Sequence, residues 1–227
     1  MKKVLITGGN RGIGKAIADK FASCGYEVIT PTREEMNLEN AHSVELFIKK
    51  NSNICFDVII NNAGFNDINL IEDIKDDELE RMISINLMAP IRIIRGFVGR
   101  MKLQHYGRIV NIGSIWGVVS KEGRTVYSAT KHAVHGITNT LAVELAPDNI
   151  LVNTVCPGFT NTEMTKKNNS LETVKKIVEN IPVGRMAEPE EIAEVVFFLG
   201  HESNTYITGQ KIVVDGGFTV KWTLNQI

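Results

Sequence analysis

The chain is 227 residues long, a size at which an α/β sequence commonly folds as one compact domain with a sizeable core. Its 25 Lys and Arg residues offset 26 Asp and Glu, and the net charge of −1 provides no broad attraction to nucleic acid or to an anionic membrane. Three cysteines, Cys24, Cys55 and Cys156, lie far apart and form no C-x-x-C pair, which argues against a disulfide framework or zinc knuckle and leaves buried reduced thiols as the expectation.

Short apolar runs alternate with stretches of helical period, the rhythm of a parallel sheet covered by helices. The first run, Val4-Leu5-Ile6, is too short for a signal peptide or a membrane span, so a cytoplasmic protein is expected. Thr7-Gly8-Gly9-Asn10-Arg11-Gly12-Ile13-Gly14 follows at once. Glycines there let the backbone approach a pyrophosphate, and the N-terminus of the next helix favours its negative charge. A glycine-rich turn serves tight packing equally well; the strand-turn-helix context is what favours phosphate. Ile13, Ala16, Ile17 and Phe21 share one face of that helix, and Gly25 supplies a stop just after Cys24.

The second strand, around Val28-Ile29, ends in Pro31-Thr32-Arg33 without the acidic residue that would hydrogen-bond the ribose of NAD. Thr32 can accommodate a 2′-phosphate and Arg33 can pair with it, helped by Arg11, so NADP(H) is favoured over NAD(H); the plain alternative is a solvated Arg33. Only one helical stretch, Ala41 to Lys50, separates this strand from the third, Val58-Ile59-Ile60. Leu79, Met82, Ile83, Ile93, Ile94 and Phe97 then form an apolar stripe suited to core or subunit packing. Within it Pro90 stands four residues after Asn86 and lacks the amide that would pair with that carbonyl, so the Asn86 oxygen is expected to be free for water, unless the proline does no more than bend the helix.

The fourth strand, Ile109 to Ile112, ends in Gly113-Ser114, and a helix is expected from Tyr127 to Leu145. Tyr127 and Lys131 share a face of it at i, i+4. A free phenol ionises near pH ~10 and is a poor acid or base at neutral pH, whereas an ammonium beside it favours the phenolate. The Ser114 hydroxyl can hold a carbonyl oxygen while the phenol delivers the proton. By itself, a Tyr-Lys pair at this spacing is as readily an ordinary surface pair. His132 and His135 lack the further partners a metal site needs, and Cys156, after the fifth strand from Ile150 to Val155, reads as core filling. Lys166 to Ser170 reads as a mobile polar loop and Lys211 to Val214 as a last strand, and the tail after Gly217 has no assignment.

Thr7-Gly8-x-x-x-Gly12-x-Gly14, Asn61-Asn62-Ala63-Gly64, Asn86, Ser114, Tyr127-x-x-x-Lys131 and Pro157-Gly158, in this order and spacing, make the chain resemble the short-chain dehydrogenase/reductase family from about Lys3 to Gly217. Its last third, including Pro157 to Met164, Gly184-Arg185-Met186 with Glu188 to Ala193, and Tyr206 to Gln210 with Val214 to Gly217, is similar to the 3-oxoacyl-[acyl-carrier-protein] reductase branch. The resemblance implies one NADP(H)-binding catalytic domain over 1–227, an α/β Rossmann-type doubly wound sheet of about seven mostly parallel strands, and cofactor at their carboxyl ends. It makes Ser114 the residue that positions the carbonyl and Tyr127 the acid/base. Lys131 also holds the nicotinamide ribose, and Asn86 carries a water linking Lys131 to solvent. Gly8, Asn10, Arg11, Gly12, Ile13 and Gly14 belong to the cofactor set, with Thr32, Arg33, Asn37 and Leu38 beyond the second strand. Asn62, Ala63 and Gly64 fall on the adenine-ribose side, and Pro157, Gly158, Thr160 and Thr162 near the nicotinamide. Asn37 stands where the family usually has an aspartate. No metal is implied.

Three functions fit this set: a reductase or dehydrogenase of small carbonyl compounds or secondary alcohols, a 3-oxoacyl-[acyl-carrier-protein] reductase of fatty-acid synthesis, or a non-catalytic dinucleotide sensor. A sensor can dispense with the acid/base set, and this chain has every member of it. In the acyl reductases, by resemblance, arginines that suit an acidic carrier protein are common just before the fourth and fifth strands; here those places read Gln104-His105-Tyr106 and Pro147-Asp148-Asn149. A small polar carbonyl substrate such as a sugar derivative is therefore expected, with a lid from about Glu163 to Ile181. Ala129, Ala133, Gly136, Ile137, Leu141 and Leu145 exceed what one sheet contact needs, and a homodimer or homotetramer is expected to cover them.

Overall fold

The computed structural model describes residues 1–163, 165 and 170–221; of the expected polar loop, 166–169 lie outside the described residues, as does the tail from 222 onward. Six strands, β1 (Lys3–Ile6), β2 (Glu27–Ile29), β3 (Val58–Asn61), β4 (Gly107–Ile112), β5 (Ile150–Pro157) and β6 (Lys211–Val214), form one sheet in the order β2-β1-β3-β4-β5-β6. Every neighbouring pair is parallel. Parallel neighbours need long crossovers. Helices α1 (Gly12–Ser23), α2 (Ala41–Lys50), α3 (Asp76–Ile83), α4 (Ala89–Leu103), α5 (Thr125–Leu145), α6 (Leu171–Asn180) and α7 (Pro189–Gly200) lie in those connections.

Adjacent strand residues point to opposite faces, so a strand covered on both sides reads as an unbroken apolar run. On one face Val4, Ile6, Val58, Ile60, Val110 and Val155 pack with Ile17 and Phe21 of α1 and Ile192, Val196 and Leu199 of α7. On the other, Leu5, Ile59, Ile109, Ile150 and Val152 meet Val44 and Phe47 of α2, Ile93, Phe97 and Met101 of α4, and Leu145 of α5. Each such side chain contributes roughly 1.5–3 kcal/mol by leaving water.

About seven strands were expected and six are found among the described residues. The connection from β2 to β3 has room for little besides α2. Its first residues form turns, with Met36 N donating to Thr32 O at 2.9 Å and Asn40 N to Asn37 O at 3.0 Å. Asn40 then caps α2, its side chain accepting from Ser43 N. No chain is left for a further strand, so three-residue β2 is the sheet edge.

The stripe beginning at Asp76 runs as one helical stretch to Leu103, long and apolar enough by length and composition to cross a membrane, yet Met82, Ile93, Ile94, Phe97 and Met101 are buried within the molecule. At Pro90 the chain does not simply bend. Residues Ser84–Met88 adopt a π-helical turn, in which Ala89 N donates to Ser84 O, five residues back. A proline that cannot close the ordinary bond is accommodated by this wider register.

Candidate active site

The strand order reverses between β1 and β3, and the loops leaving these strands meet there. Thr7 Oγ1 accepts from the amides of Asn62 and Ala63 at 3.0 Å each, and Asn62 Nδ2 donates to Thr7 O and Gly8 O at 2.9 and 3.1 Å. Asn62 thus latches the glycine turn in place. Gly8 and Gly12 are left-handed, at φ +66° and +53°. Gly14 serves close approach, since a Cβ there would stand 2.0 Å from Gly8 O. Helix α1 has no acid in its first turn, and Arg11 precedes it, so its N-terminus is electropositive. Across the cleft, Thr162 Cγ2 lies 3.5 Å from where a Gly12 Cβ would be. Left-handed glycines and an acid-free helix N-terminus fit the pyrophosphate of a nicotinamide dinucleotide.

Ser114 follows β4 by two residues in extended backbone, its Oγ accepting from Trp116 N at 3.2 Å. Helix α5 sets Tyr127 and Lys131 one turn apart, and Lys131 Nζ is 5.5 Å from the Tyr127 ring centroid. The ammonium is buried and donates to Ile112 O at 2.7 Å. Asn86, also buried, exchanges two bonds with the Phe65 backbone, both 2.8 Å, and donates to Thr130 Oγ1 at 3.2 Å. Between them sits Gly64: a Cβ there would lie 3.7 Å from both Asn86 Oδ1 and Lys131 Nζ.

These groups surround a cavity of about 360 Å³. Of the residues expected from the sequence, Asn10, Thr32, Arg33, Asn37, Leu38 and Asn86 stand outside its wall and all the others line it. Arg33 is exposed and pairs through Nη2 with Glu39 Oε2 at 3.0 Å, while Arg81 holds the other Glu39 oxygen at 2.8 Å. Thr32 N donates to Glu35 Oε2 at 2.8 Å, and bonds from Thr32 hold the Glu35 carboxyl below its usual range. Asn37 Oδ1 accepts from Glu39 N, and Leu38 packs against the core.

The cavity wall also holds Glu163 and Thr165, from the start of the expected lid, and Asn66, Trp116, Arg124 and Phe159, for which the sequence implies no role in the site. Trp116 and Phe159 pack edge to face at 6.1 Å, with Phe218 at 6.4 and 5.3 Å from them. No spacing rule announces an aromatic wall built from three separate loops. Arg124 had a signal, because it precedes Tyr127 by three residues and so falls on the same side of the helix start.

Beneath Ser114, His135 Nε2 and Cys156 Sγ are 3.3 Å apart and buried. Burial, then the nearby Lys211, His132 and Lys131, pushes His135 down to about 4, and burial pushes the Cys156 thiol up. Before β4 and β5, where the acyl reductases carry arginines, Asp148 lies 3.8 Å from His105 Nδ1 and 3.6 Å from Lys102 Nζ. The neighbouring Arg108 is buried and spent on backbone carbonyls.

The chain matches known proteins along nearly all its length. The family profile described as short chain dehydrogenase matches residues 2–46, and that described as enoyl-(acyl carrier protein) reductase matches 36–219. The 3-oxoacyl-[acyl-carrier-protein] reductase of Vibrio harveyi is 36% identical over 236 residues, 95% of this chain and 96% of that protein. Among solved structures, a Beutenbergia cavernae protein described as an NAD(P)-dependent gluconate 5-dehydrogenase with bound NADP superposes with a TM-score of 0.92 at 28% identity, covering 97% of each chain. A 4-hydroxyisoleucine dehydrogenase complexed with NADH gives 0.92 at 28% identity, covering 98% of this chain and 100% of that one. Sheet order, glycine turn, catalytic spacing and these similarities agree: the chain belongs to the short-chain dehydrogenase/reductase family of oxidoreductases.

Proposed function

We propose that this protein is an NADPH-dependent carbonyl reductase, or the corresponding alcohol dehydrogenase, in which Tyr127 is the acid/base. The observation that carries the reading is that Ser114, Tyr127 and Lys131 line one cavity with the glycine turn. When bound there, the dinucleotide supplies or accepts the hydride. The pyrophosphate would be held by the backbone of Gly8 to Gly14 with Arg11, and the nicotinamide end by Lys131, Pro157, Gly158, Thr160 and Thr162. In reduction, Ser114 Oγ donates to the substrate carbonyl oxygen, and the Tyr127 hydroxyl gives that oxygen its proton as the alcohol forms. Lys131, beside the phenol, stabilises the phenolate left behind, and Asn86 orders the water through which the proton is replaced.

NADP(H) over NAD(H) is favoured by Thr32 and Arg33 at the end of β2 and the lack of an acid at that strand's end. One cytoplasmic domain assembling as a dimer or tetramer completes the reading. A small polar substrate is favoured by Asp148, which neutralises the surface where an acidic carrier protein would dock, and by the gluconate and 4-hydroxyisoleucine in the names of the two structural neighbours. The second reading, reduction of 3-oxoacyl thioesters on acyl carrier protein, is favoured by the 36% identity to such a reductase over 95% of the chain.

The test is NADPH oxidation with keto sugars, small ketones and acetoacetyl-carrier protein. Tyr127→Phe keeps the ring and removes the proton donor, so kcat should fall by about 10²- to 10⁴-fold with folding intact. Lys131→Ala should lower kcat and weaken NADPH binding together. A Tyr127→Phe rate within a few-fold of wild type overturns the assignment. A thioester kcat/KM far above every other compound selects the second reading.

A further inference from the structure

Arg108 and Arg124 are both buried arginines, and their surroundings differ. Arg108 is 2% exposed; its guanidinium donates to the carbonyls of Asn204, Gly107 and Asn149 at 3.1, 2.8 and 3.0 Å. Arg124 is 9% exposed and makes no ion pair among the described residues; its Nε and Nη1 are closed off from solvent without any hydrogen-bond partner. Burial pushes the Arg124 guanidinium below its usual range. A guanidinium nonetheless stays charged in proteins, and a buried one without a partner is strongly destabilising. Such a group persists where a ligand completes it.

Its position names the ligand's place. Arg124 immediately precedes α5, three residues before Tyr127, and forms part of the same cavity wall as Ser114 and Tyr127. Asn66 stands in that wall too, its Oδ1 buried and unpartnered. The wall contains three cations, Arg11, Lys131 and Arg124, against one acid, Glu163, and no ion pair joins Glu163 to any of them among the described residues. Arg11 belongs to the glycine turn and Lys131 is held by Ile112 O, which leaves Arg124 for the substrate.

We infer that Arg124 recognises a carboxylate on the substrate, so that the protein interconverts a hydroxy acid and its keto acid, with a substrate hydroxyl donating to Asn66 Oδ1. The inference rests on Tyr127 being the acid/base of this cavity and narrows the substrate class from polar carbonyl compounds to anionic ones. A carboxylate matches the planar fork of the guanidinium with two parallel charge-assisted bonds, which a neutral ester or thioester does not.

The experiment compares kcat/KM for 5-ketogluconate and levulinate with that for their methyl esters, in wild type, Arg124→Gln and Arg124→Lys. The acids should lead in wild type by roughly 30-fold or more, the scale of losing one partner of a buried charge pair. That ratio should collapse in Arg124→Gln and recover partly in Arg124→Lys. Arg124→Gln should also melt at or above the wild-type temperature, since it removes an unpaired buried charge. A ratio near one in wild type, a ratio unchanged by Arg124→Gln, or a large drop in its melting temperature overturns the inference. Where esters and neutral ketones are reduced and Tyr127→Phe abolishes it, the reductase reading stands without the carboxylate site. Calorimetric titration of gluconate into the NADP⁺-loaded protein needs no turnover: binding that Arg124→Gln loses supports the site, and equal binding by both proteins overturns it.

Discussion

Arg33 shows how a residue can be read correctly as a cation and still be occupied. Its guanidinium pairs with Glu39, and Glu39 is shared with Arg81. An exposed pair of this kind is worth about 0.2–1 kcal/mol, so a 2′-phosphate can displace it at small cost. Glu39→Gln should therefore tighten NADPH binding by about two- to five-fold while leaving NADH nearly unchanged. Arg33→Ala should weaken NADPH alone. Fluorescence titration of both nucleotides checks this, and an Arg33→Ala variant with an unaltered NADPH-to-NADH preference would remove Arg33 from cofactor selection.

At the scale of elements, buried polar groups join the strands and the helix that carry the proposed site. Asn61 donates to Asn111 Oδ1 at 2.8 Å, Asn111 to Thr138 Oγ1 at 3.0 Å, and Thr138 and Thr154 share a bond of 2.7 Å. These bonds cross from β3 through β4 and α5 to β5 and fix the relative placement of those elements, with Asn61 Oδ1 left buried and unpartnered at the β3 end. On the same helix, His135 is held neutral in the fold, with its value lowered from 6.5 to about 4 by burial first and then by Lys211, His132 and Lys131. As pH falls from 6.5 toward 4, the unfolded chain takes up a proton that the folded one refuses, so stability falls across that window and this loss is complete below it. The drop from this group is on the order of 3 kcal/mol. Urea midpoints at pH 7, 5 and 4 should decline in wild type and decline less in His135→Gln. Equal slopes in the two proteins would show that other groups govern the acid limb.

For the whole molecule, the apolar face expected of α5 divides in two. Leu145 is 1% exposed and Leu141 packs against the core, whereas Ala129 and Gly136 are exposed, as is Val143, which the expected face did not include, at 80%. Ala129, Gly136 and Val143 are exposed in a line, at steps of seven residues, and a Cβ on Gly136 would meet nothing within 4 Å. Small residues at that repeat let a second helix approach closely. Light scattering at micromolar concentration should report two or four times the 25.2 kDa chain mass, reduced in Gly136→Arg; a stable wild-type monomer would end the oligomer proposal.

The sequence by itself determined what depends on local order. Apolar runs of strand length, the glycine turn and the i, i+4 pair of Tyr127 and Lys131 each follow from neighbours along the chain, and α2 lies at Ala41–Lys50 where its periodicity placed it. Family spacing carried the remaining residues of the proposed site. Only the tertiary structure decided the strand count, because whether Thr32 to Leu38 pairs or turns depends on the chain length available between β2 and β3. It alone set the π turn at Pro90, the Glu39 bridge between Arg33 and Arg81, and the cavity wall of Asn66, Trp116, Arg124 and Phe159. Those residues come from three different loops, and the missing partner of Arg124 is a property of everything packed around it, which no window of sequence contains.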